Sequence, residues 1–152
     1  MDIDKNSRTT AIGLARYAKL YIESARVVDE VLGAGEEYAL ISPIPAYFLI
    51  THGLELTLKA YLRHQGLSVE QIMEVGHDLK ALHNKACELG LNDLYQLTAD
   101  DSSAFNLLIE LNKNHQLRYI QTGFKTFPSW AIVEPFARRL HEAVSPKVGF
   151  KP

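Results

Sequence analysis

The sequence predicts an all-α protein, an up-and-down antiparallel bundle of four to five helices. Apolar residues recur at three- and four-residue steps along most of the chain, and capping residues and glycines mark the ends of these stretches. No segment shows sustained two-residue alternation, which argues against strands. The connections between the periodic stretches are short, and short connections favour antiparallel neighbours.

Length and composition predict one soluble domain over residues 1–152, with flexible ends at 1–8 and 145–152. Hydrophobic residues make up 47% of the chain and charged residues 22%, which is ordinary for a globular protein. The longest apolar stretch, 44–58, is interrupted by Thr51, His52 and Glu55, so no membrane span is expected. A polar N-terminus and a single cysteine, Cys87, favour a cytoplasmic location.

Two long helices are expected in the first half of the chain. The first covers about residues 9–32 and has one apolar stripe, formed by Leu14, Ala18, Tyr21, Ala25, Val28 and Leu32. The second opens at a Ser42 cap, ends near Gly66 and is apolar almost all round, which predicts a central position. Gly53 within it costs about 1 kcal/mol relative to alanine and therefore predicts a close crossing with another helix.

Local capping motifs predict the remaining elements. Ser68 starts a short turn, Asp78 caps a third helix that stops at Gly90, and Thr98 opens a fourth helix whose pattern is compatible with an extension to residue 119. Ser129 is expected to cap a fifth helix. Its apolar side consists of Trp130, Val133, Phe136, Leu140 and Val144.

Charge is distributed unevenly along the chain. Residues 1–112 have a balance of −7 and residues 113–152 a balance of +5. Such an asymmetry can attract an anion, including nucleic acid, to one end of the molecule. A solvated helix face followed by a basic tail explains it equally well.

Four polar side chains share a face of the second predicted helix: His52, Glu55, Lys59 and Arg63. One interpretation is a polar seam that binds a phosphate or a partner helix. The other is a solvent-facing strip in which Glu55 and Lys59 form a helix pair worth about 0.2–0.5 kcal/mol.

Two further groups are candidates for anion binding. His77 and Asp78 lie at a helix N-terminus, where backbone amides favour anions, although both residues also suit simple capping. Arg118 offers a guanidinium that either binds an anion or neutralises Glu55 in the interior.

No metal, cofactor or nucleophile is expected. The six histidines are scattered, and His52 with Glu55 three residues later is a weak ligand pattern. The chain contains no Gly-x-Ser-x-Gly and no phosphate-binding glycine loop. The tyrosines at helical spacing fit a core or a dimer interface better than base stacking; they are Tyr17, Tyr21, Tyr47 and Tyr61.

The order of these motifs resembles the HEPN superfamily of small all-helical proteins. The matching pattern is Glu55-x-x-Leu-Lys59-x-x-Leu, then Gly66, then Gly-His77-Asp78-Leu-x-x-Leu, and finally Arg118-Tyr119, over about residues 43–120. The resemblance implies a homodimer that associates with RNA or nucleotides. It also implies a role in toxin–antitoxin or defence systems beside a nucleotidyltransferase.

Many HEPN proteins are metal-independent ribonucleases with an arginine followed, after four to six residues, by a histidine. Here Arg118 is followed at those positions by Gly123, Phe124 and Lys125, and no other arginine has a histidine at that distance. The general acid or base assigned to that histidine is therefore missing.

The sequence thus leads to a non-catalytic HEPN-like dimer that binds a nucleotide, RNA or a nucleotidyltransferase, with Glu55, Lys59 and Arg118 as the central polar cluster and His77 at its rim. The alternative is a ribonuclease with a rearranged site that uses Lys125 or His115. A purely structural antitoxin-type partner is the third hypothesis.

Overall fold

Six α-helices account for most of the chain that the structure describes. The computed structural model describes residues 8–113 and 126–152, and within these ranges the secondary structure is entirely helical. The helices are α1 (Ala11–Leu32), α2 (Ile44–His64), α3 (Val69–Val75), α4 (Leu79–Glu88), α5 (Ala99–Lys113) and α6 (Trp130–Val148). Short 3-10 turns lie at Glu36–Tyr38 and Leu91–Asp93. The all-α prediction is therefore confirmed for these residues.

Helix α1 buries a face that overlaps the predicted one in part, at Ala18 and Ala25. The buried side chains are Ala15, Ala18, Ile22 and Ala25, whereas Leu32 is exposed and Leu14, Tyr21 and Val28 are half-buried. Ala18 and Ala25 are buried as predicted, whereas the larger residues of the predicted stripe are less buried than Ala15 and Ile22, because α1 is apolar on more than one side. The small alanine side chains allow a closer approach of helix backbones than the larger residues do.

Helix α1 approaches α2 closely at Gly53, as the mid-helix glycine predicted. A Cβ atom built at Gly53 would lie 2.6 Å from Ile22 Cγ1 and 3.3 Å from the backbone oxygen of Ala18. The first distance is shorter than packing allows and the second is tight, so a larger residue than glycine would force the Ile22 side chain or α1 to shift. The close packing of α1 against α2 offsets the low helix propensity of glycine at this position.

Helix α2 is enclosed by the rest of the molecule. It contacts α1, α3, α4 and α6, and its fully buried side chains include Tyr47, Ile50, Leu54 and Leu58. This agrees with its predicted central position. Because α2 is buried on several sides, each buried polar group on it needs a hydrogen-bonding partner.

Three of the predicted helix caps are confirmed. Ser68 and Gln71 form a reciprocal capping box at α3, Asp78 accepts a hydrogen bond from the Ala81 amide at 3.0 Å, and Thr98 and Asp101 cap each other's amides at α5. The short turn predicted after Ser68 is a seven-residue α-helix.

Two predicted caps are wrong, because neither serine side chain bonds the helix N-terminus. Pro43, not Ser42, is the N-cap residue of α2, and the Ser42 hydroxyl donates instead to Asp29 Oδ1 at 2.9 Å. Ser129 occupies the N-cap position of α6, but its side chain makes no capping bond. The Tyr47 hydroxyl holds the start of that helix in place, since it donates to the Pro128 oxygen at 2.7 Å.

The C-terminal segment does not form the loose end predicted for residues 145–152. Helix α6 continues to Val148, and Ser145, Val148 and Phe150 are buried. The helix closes with a bond from the Phe150 amide to the Ser145 oxygen at 2.9 Å. The apolar side chains of Val148 and Phe150 pack on the core and hold this turn in place.

Within the described ranges, none of the helices combines the length and the apolarity that a membrane span requires.

The contact at Gly53 leads to a stability prediction. Alanine at this position gains helix propensity of about 1 kcal/mol but collides with Ile22, so we expect Gly53→Ala to lower the free energy of unfolding by roughly 1–2 kcal/mol. Urea denaturation measures the change. The double variant Gly53→Ala/Ile22→Ala should be less destabilised than the sum of the two single variants. Additive losses would contradict a direct collision.

Candidate functional site

Glu55 is the centre of a polar cluster inside the helical packing. Its side chain is only 4% exposed, yet it contacts two basic side chains through the same oxygen, Oε2. Lys59 Nζ donates to this oxygen at 2.9 Å, and His77 Nδ1 lies 2.8 Å from it. The i,i+4 pair with Lys59 was predicted, whereas His77 makes a direct contact and does not stand at the rim.

The turn between α3 and α4 carries His77 to Glu55. Gly76 has φ of 70°, a left-handed conformation that favours glycine, and it ends α3 one residue before His77. Asp78 then caps α4, and Asn112 of α5 donates from Nδ2 to the His77 backbone oxygen at 2.9 Å. The backbone of His77 is thus fixed from both sides, while its side chain remains 57% exposed.

The ionised form of Glu55 is favoured in the folded protein. Burial raises the pKa of this carboxyl group, but the charge of Lys59 and the hydrogen bonds from His77 and Lys59 outweigh it, and the net pKa lies below the ordinary value of 4.5. A buried carboxylate therefore holds a half-exposed imidazole at the surface.

The other members of the predicted polar face contact groups elsewhere among the described residues. The His52 ring packs edge-on against Tyr21 of α1, with ring centroids 4.5 Å apart. Arg63 donates to the backbone oxygens of Thr9 and Leu67, each at 3.0 Å. It thereby holds the segment before α1 and the segment after α2.

Four sequence-predicted site residues lie outside the described residues: Arg118, Tyr119, His115 and Lys125. The pairing of Arg118 with Glu55 and the extension of the fourth helix to residue 119 stay predictions. Within the described residues, Lys59 and His77 are the partners of the Glu55 carboxylate.

A surface hollow of about 450 Å³ lies beside His77. Its walls come from the start of α4 and the end of α5, and its polar lining includes Asp78, Lys80, Glu110, Asn112 and Lys113. A volume of this size is in the range that small ligands occupy. The lining contains two lysines and His77 together with two carboxylates, so it carries charges of both signs.

Sequence reasoning missed a second buried carboxylate, Asp101. It accepts hydrogen bonds from the Tyr95 hydroxyl at 2.5 Å and from Arg139 Nη2 at 3.0 Å. Burial raises the pKa of Asp101, but the bond from Tyr95, the Thr98 amide and the Arg139 charge bring it below its ordinary value. This cluster joins α5 to α6 and is structural. The pairing with Arg139 spans 38 residues, and no local pattern could have revealed it.

A buried histidine, His141, was also missed. Its Nε2 donates to the Ala15 oxygen at 2.8 Å, which ties α6 to α1, and burial lowers its pKa. It lines a hollow of about 570 Å³ between these helices. Three cations on the rim are each within 3.2 Å of a glutamate oxygen; they are Lys19, Arg26 and Arg138. A polar residue at position 141 of an apolar helix face was the available signal.

The described residues contain no group of three His, Cys, Asp or Glu side chains arranged to hold a metal ion. Cys87 Sγ lies 3.5 Å from His83 Nε2, which would suit a nucleophile and its base. Burial, however, raises the pKa of the thiol and lowers that of the imidazole, so both groups are neutral at pH 7. This pair is not an activated nucleophile.

The chain matches no protein-family model, no curated protein and no solved structure. The resemblance to HEPN proteins therefore stays a prediction from the residue pattern that runs from Glu55 to Arg118-Tyr119.

The lowered pKa of Glu55 leads to a pH prediction. Because the folded-state pKa lies below that of the unfolded chain, the carboxylate stabilises the protein above pH 4.5, and this contribution is lost as pH falls through the folded-state pKa. We expect Glu55→Gln to cost about 1–3 kcal/mol at pH 7, because Lys59 loses its buried counter-charge, and to cost less in acid.

Urea denaturation at neutral and acidic pH measures this difference. Glu88→Gln is the matched control, because Glu88 forms an exposed pair with Lys85 at 3.6 Å and its loss should be nearly neutral. An equal loss for the two variants, or a Glu55→Gln loss that does not depend on pH, would contradict the role assigned to Glu55.

Proposed function

We propose that this protein is a non-catalytic HEPN-like helical bundle that binds RNA or a nucleotide at the surface formed by His77 and the adjoining hollow. The observation that carries the proposal is the bond between the exposed His77 ring and the buried Glu55 carboxylate, at 2.8 Å. A homodimer, a nucleotidyltransferase partner and a role in a toxin–antitoxin or defence system belong to the same proposal through the HEPN resemblance.

The cluster suits the recognition of a phosphate. With Nδ1–H bonded to Glu55, the ring is held in one orientation, and Nε2 stands on its other side. Once protonated, that nitrogen donates a hydrogen bond to an anionic oxygen, a charge-assisted contact. Lys80 and Lys113 line the same hollow and add positive charge near the ring.

Glu55 has a positioning role in this proposal. A half-exposed histidine would otherwise sample several rotamers, and ordering it on binding costs free energy. The buried carboxylate fixes the ring before the ligand arrives. Lys59, which is 13% exposed, balances the charge of the carboxylate so that His77 is not the only counter-ion.

The proposal excludes catalysis because of the sequence pattern. No arginine in the chain is followed by a histidine after four to six residues, so the general acid or base of HEPN ribonucleases has no equivalent here. Arg118 is proposed as an additional phosphate contact from its position in the HEPN-like pattern.

Binding should depend on His77. We expect fluorescence anisotropy with a labelled single-stranded RNA, and competition by ATP, to detect binding that weakens with salt. His77→Ala should weaken it about tenfold, the effect of one lost charge-assisted contact. Arg118→Ala is a second test variant.

His64→Ala is the matched control. His64 is an exposed histidine at the end of α2, the helix that carries Glu55, and its loss should leave binding unchanged. Equal effects of the two histidine variants would argue against the proposed site. The absence of binding to any RNA or nucleotide would refute the proposal and favour a protein partner.

RNA integrity tests the absence of catalysis. We expect total RNA incubated with the purified protein in EDTA to remain intact, since the histidine of the HEPN ribonuclease pattern has no equivalent in this sequence. Gel electrophoresis over time measures this. Cleavage that Lys125→Ala or His115→Ala abolishes would instead support the rearranged ribonuclease.

A further inference from the structure

The outer face of α1 carries large apolar side chains in contact with solvent. Tyr17, Leu20, Val27 and Val31 are between 53% and 68% exposed. They recur at three-, seven- and four-residue steps, so they share one side of the helix, opposite Ala15, Ala18, Ile22 and Ala25. At 1.5 Å per residue the stripe is about 21 Å long. A continuous apolar stripe of this kind is typical of a protein-binding surface.

We propose that a second copy of this chain covers the outer face of α1, with the two α1 helices antiparallel about a two-fold axis near residues 23 and 24. Two-fold symmetry requires a surface that is complementary to itself. The residue pattern of α1 has this property. The inference rests on the homodimer of the proposed function, for which it names the interface, and it is independent of RNA or nucleotide binding.

The apolar residues pair in one common register. Antiparallel alignment brings Leu20 opposite Val27 of the partner subunit and Tyr17 opposite Val31 of the partner subunit, with the centres of the two pairs about half a residue apart. Ser24 is exposed and stands at that centre, where a small side chain lets the two helices approach each other.

The charged residues at the edge of the stripe fit the same register. Arg16 and Glu30 are exposed, and their positions are symmetric about residue 23. An antiparallel two-fold pair keeps each helix edge on its own side, so Arg16 faces Glu30 of the partner subunit, and Glu30 faces Arg16 of the partner subunit. A parallel pair would instead place the two Arg16 side chains on opposite edges of the interface, away from Glu30 of the partner subunit.

One like-charge approach arises at the centre and is compensated. Glu23 comes near Glu23 of the partner subunit beside the two-fold axis. Lys19 Nζ lies 3.2 Å from Glu23 Oε1 in the same chain and neutralises it.

Sedimentation equilibrium tests the interface. We expect a dimer for the wild type and a monomer for Leu20→Glu, with an unchanged circular dichroism spectrum because Leu20 is exposed. Met73→Glu is the control, since Met73 is 57% exposed on α3, away from this face, and the variant should remain a dimer. A monomeric wild type, or a dimeric Leu20→Glu, would overturn the proposal.

Charge exchange tests the antiparallel register. Arg16→Glu alone and Glu30→Arg alone should each raise the dimer dissociation constant roughly tenfold, because symmetry removes the pair twice. The double variant Arg16→Glu/Glu30→Arg restores both pairs and should return to within about threefold of the wild type. A double variant as weak as the two losses combined would rule out this register. RNA binding by these variants separates failure of the interface from failure of the proposed function.

Discussion

The burial of α2 is the constraint on which the rest of the structure depends. This helix contacts four others, and its side chains form the middle of the core. A helix in that position cannot leave a carboxylate unpaired, because an uncompensated buried charge is strongly destabilising. The location of Glu55 on α2 therefore determines what must stand around it. Lys59 contacts the Glu55 carboxylate from the same helix, and His77 contacts it from the turn between α3 and α4.

The candidate site follows from this constraint. The imidazole of His77 is accessible to solvent, but its orientation is imposed by a group inside the protein. The conformation of Gly76, the cap on Asp78 and the bond from Asn112 determine where its backbone runs. The surface chemistry of the site is thereby coupled to the stability of the core. A change that weakens the interior around Glu55 affects both.

Much of the fold was predictable because its signals are local. Caps such as Ser68 and Asp78, and the spacing of apolar residues, depend on neighbours within one or two turns. The buried face of α1 was predictable only in part, since both sides of this helix are apolar and only the tight contact at Gly53 selects the alanine side. In the site, the pair of Glu55 with Lys59 follows from helical spacing. The direct contact with His77 depends on the turn at Gly76, and the bond between Asp101 and Arg139 depends on how distant helices pack.

The alanine face of α1 has a consequence for how this sequence can change over time. Where two backbones lie this close, a new side chain is accepted or rejected by its volume, and its polarity matters less. Distant relatives should therefore keep small residues, serine included, at the positions of Ala15, Ala18, Ala25 and Gly53, while their larger apolar residues drift. A fingerprint of small side chains would then be a more sensitive way to recognise ancestry than the hydrophobic pattern.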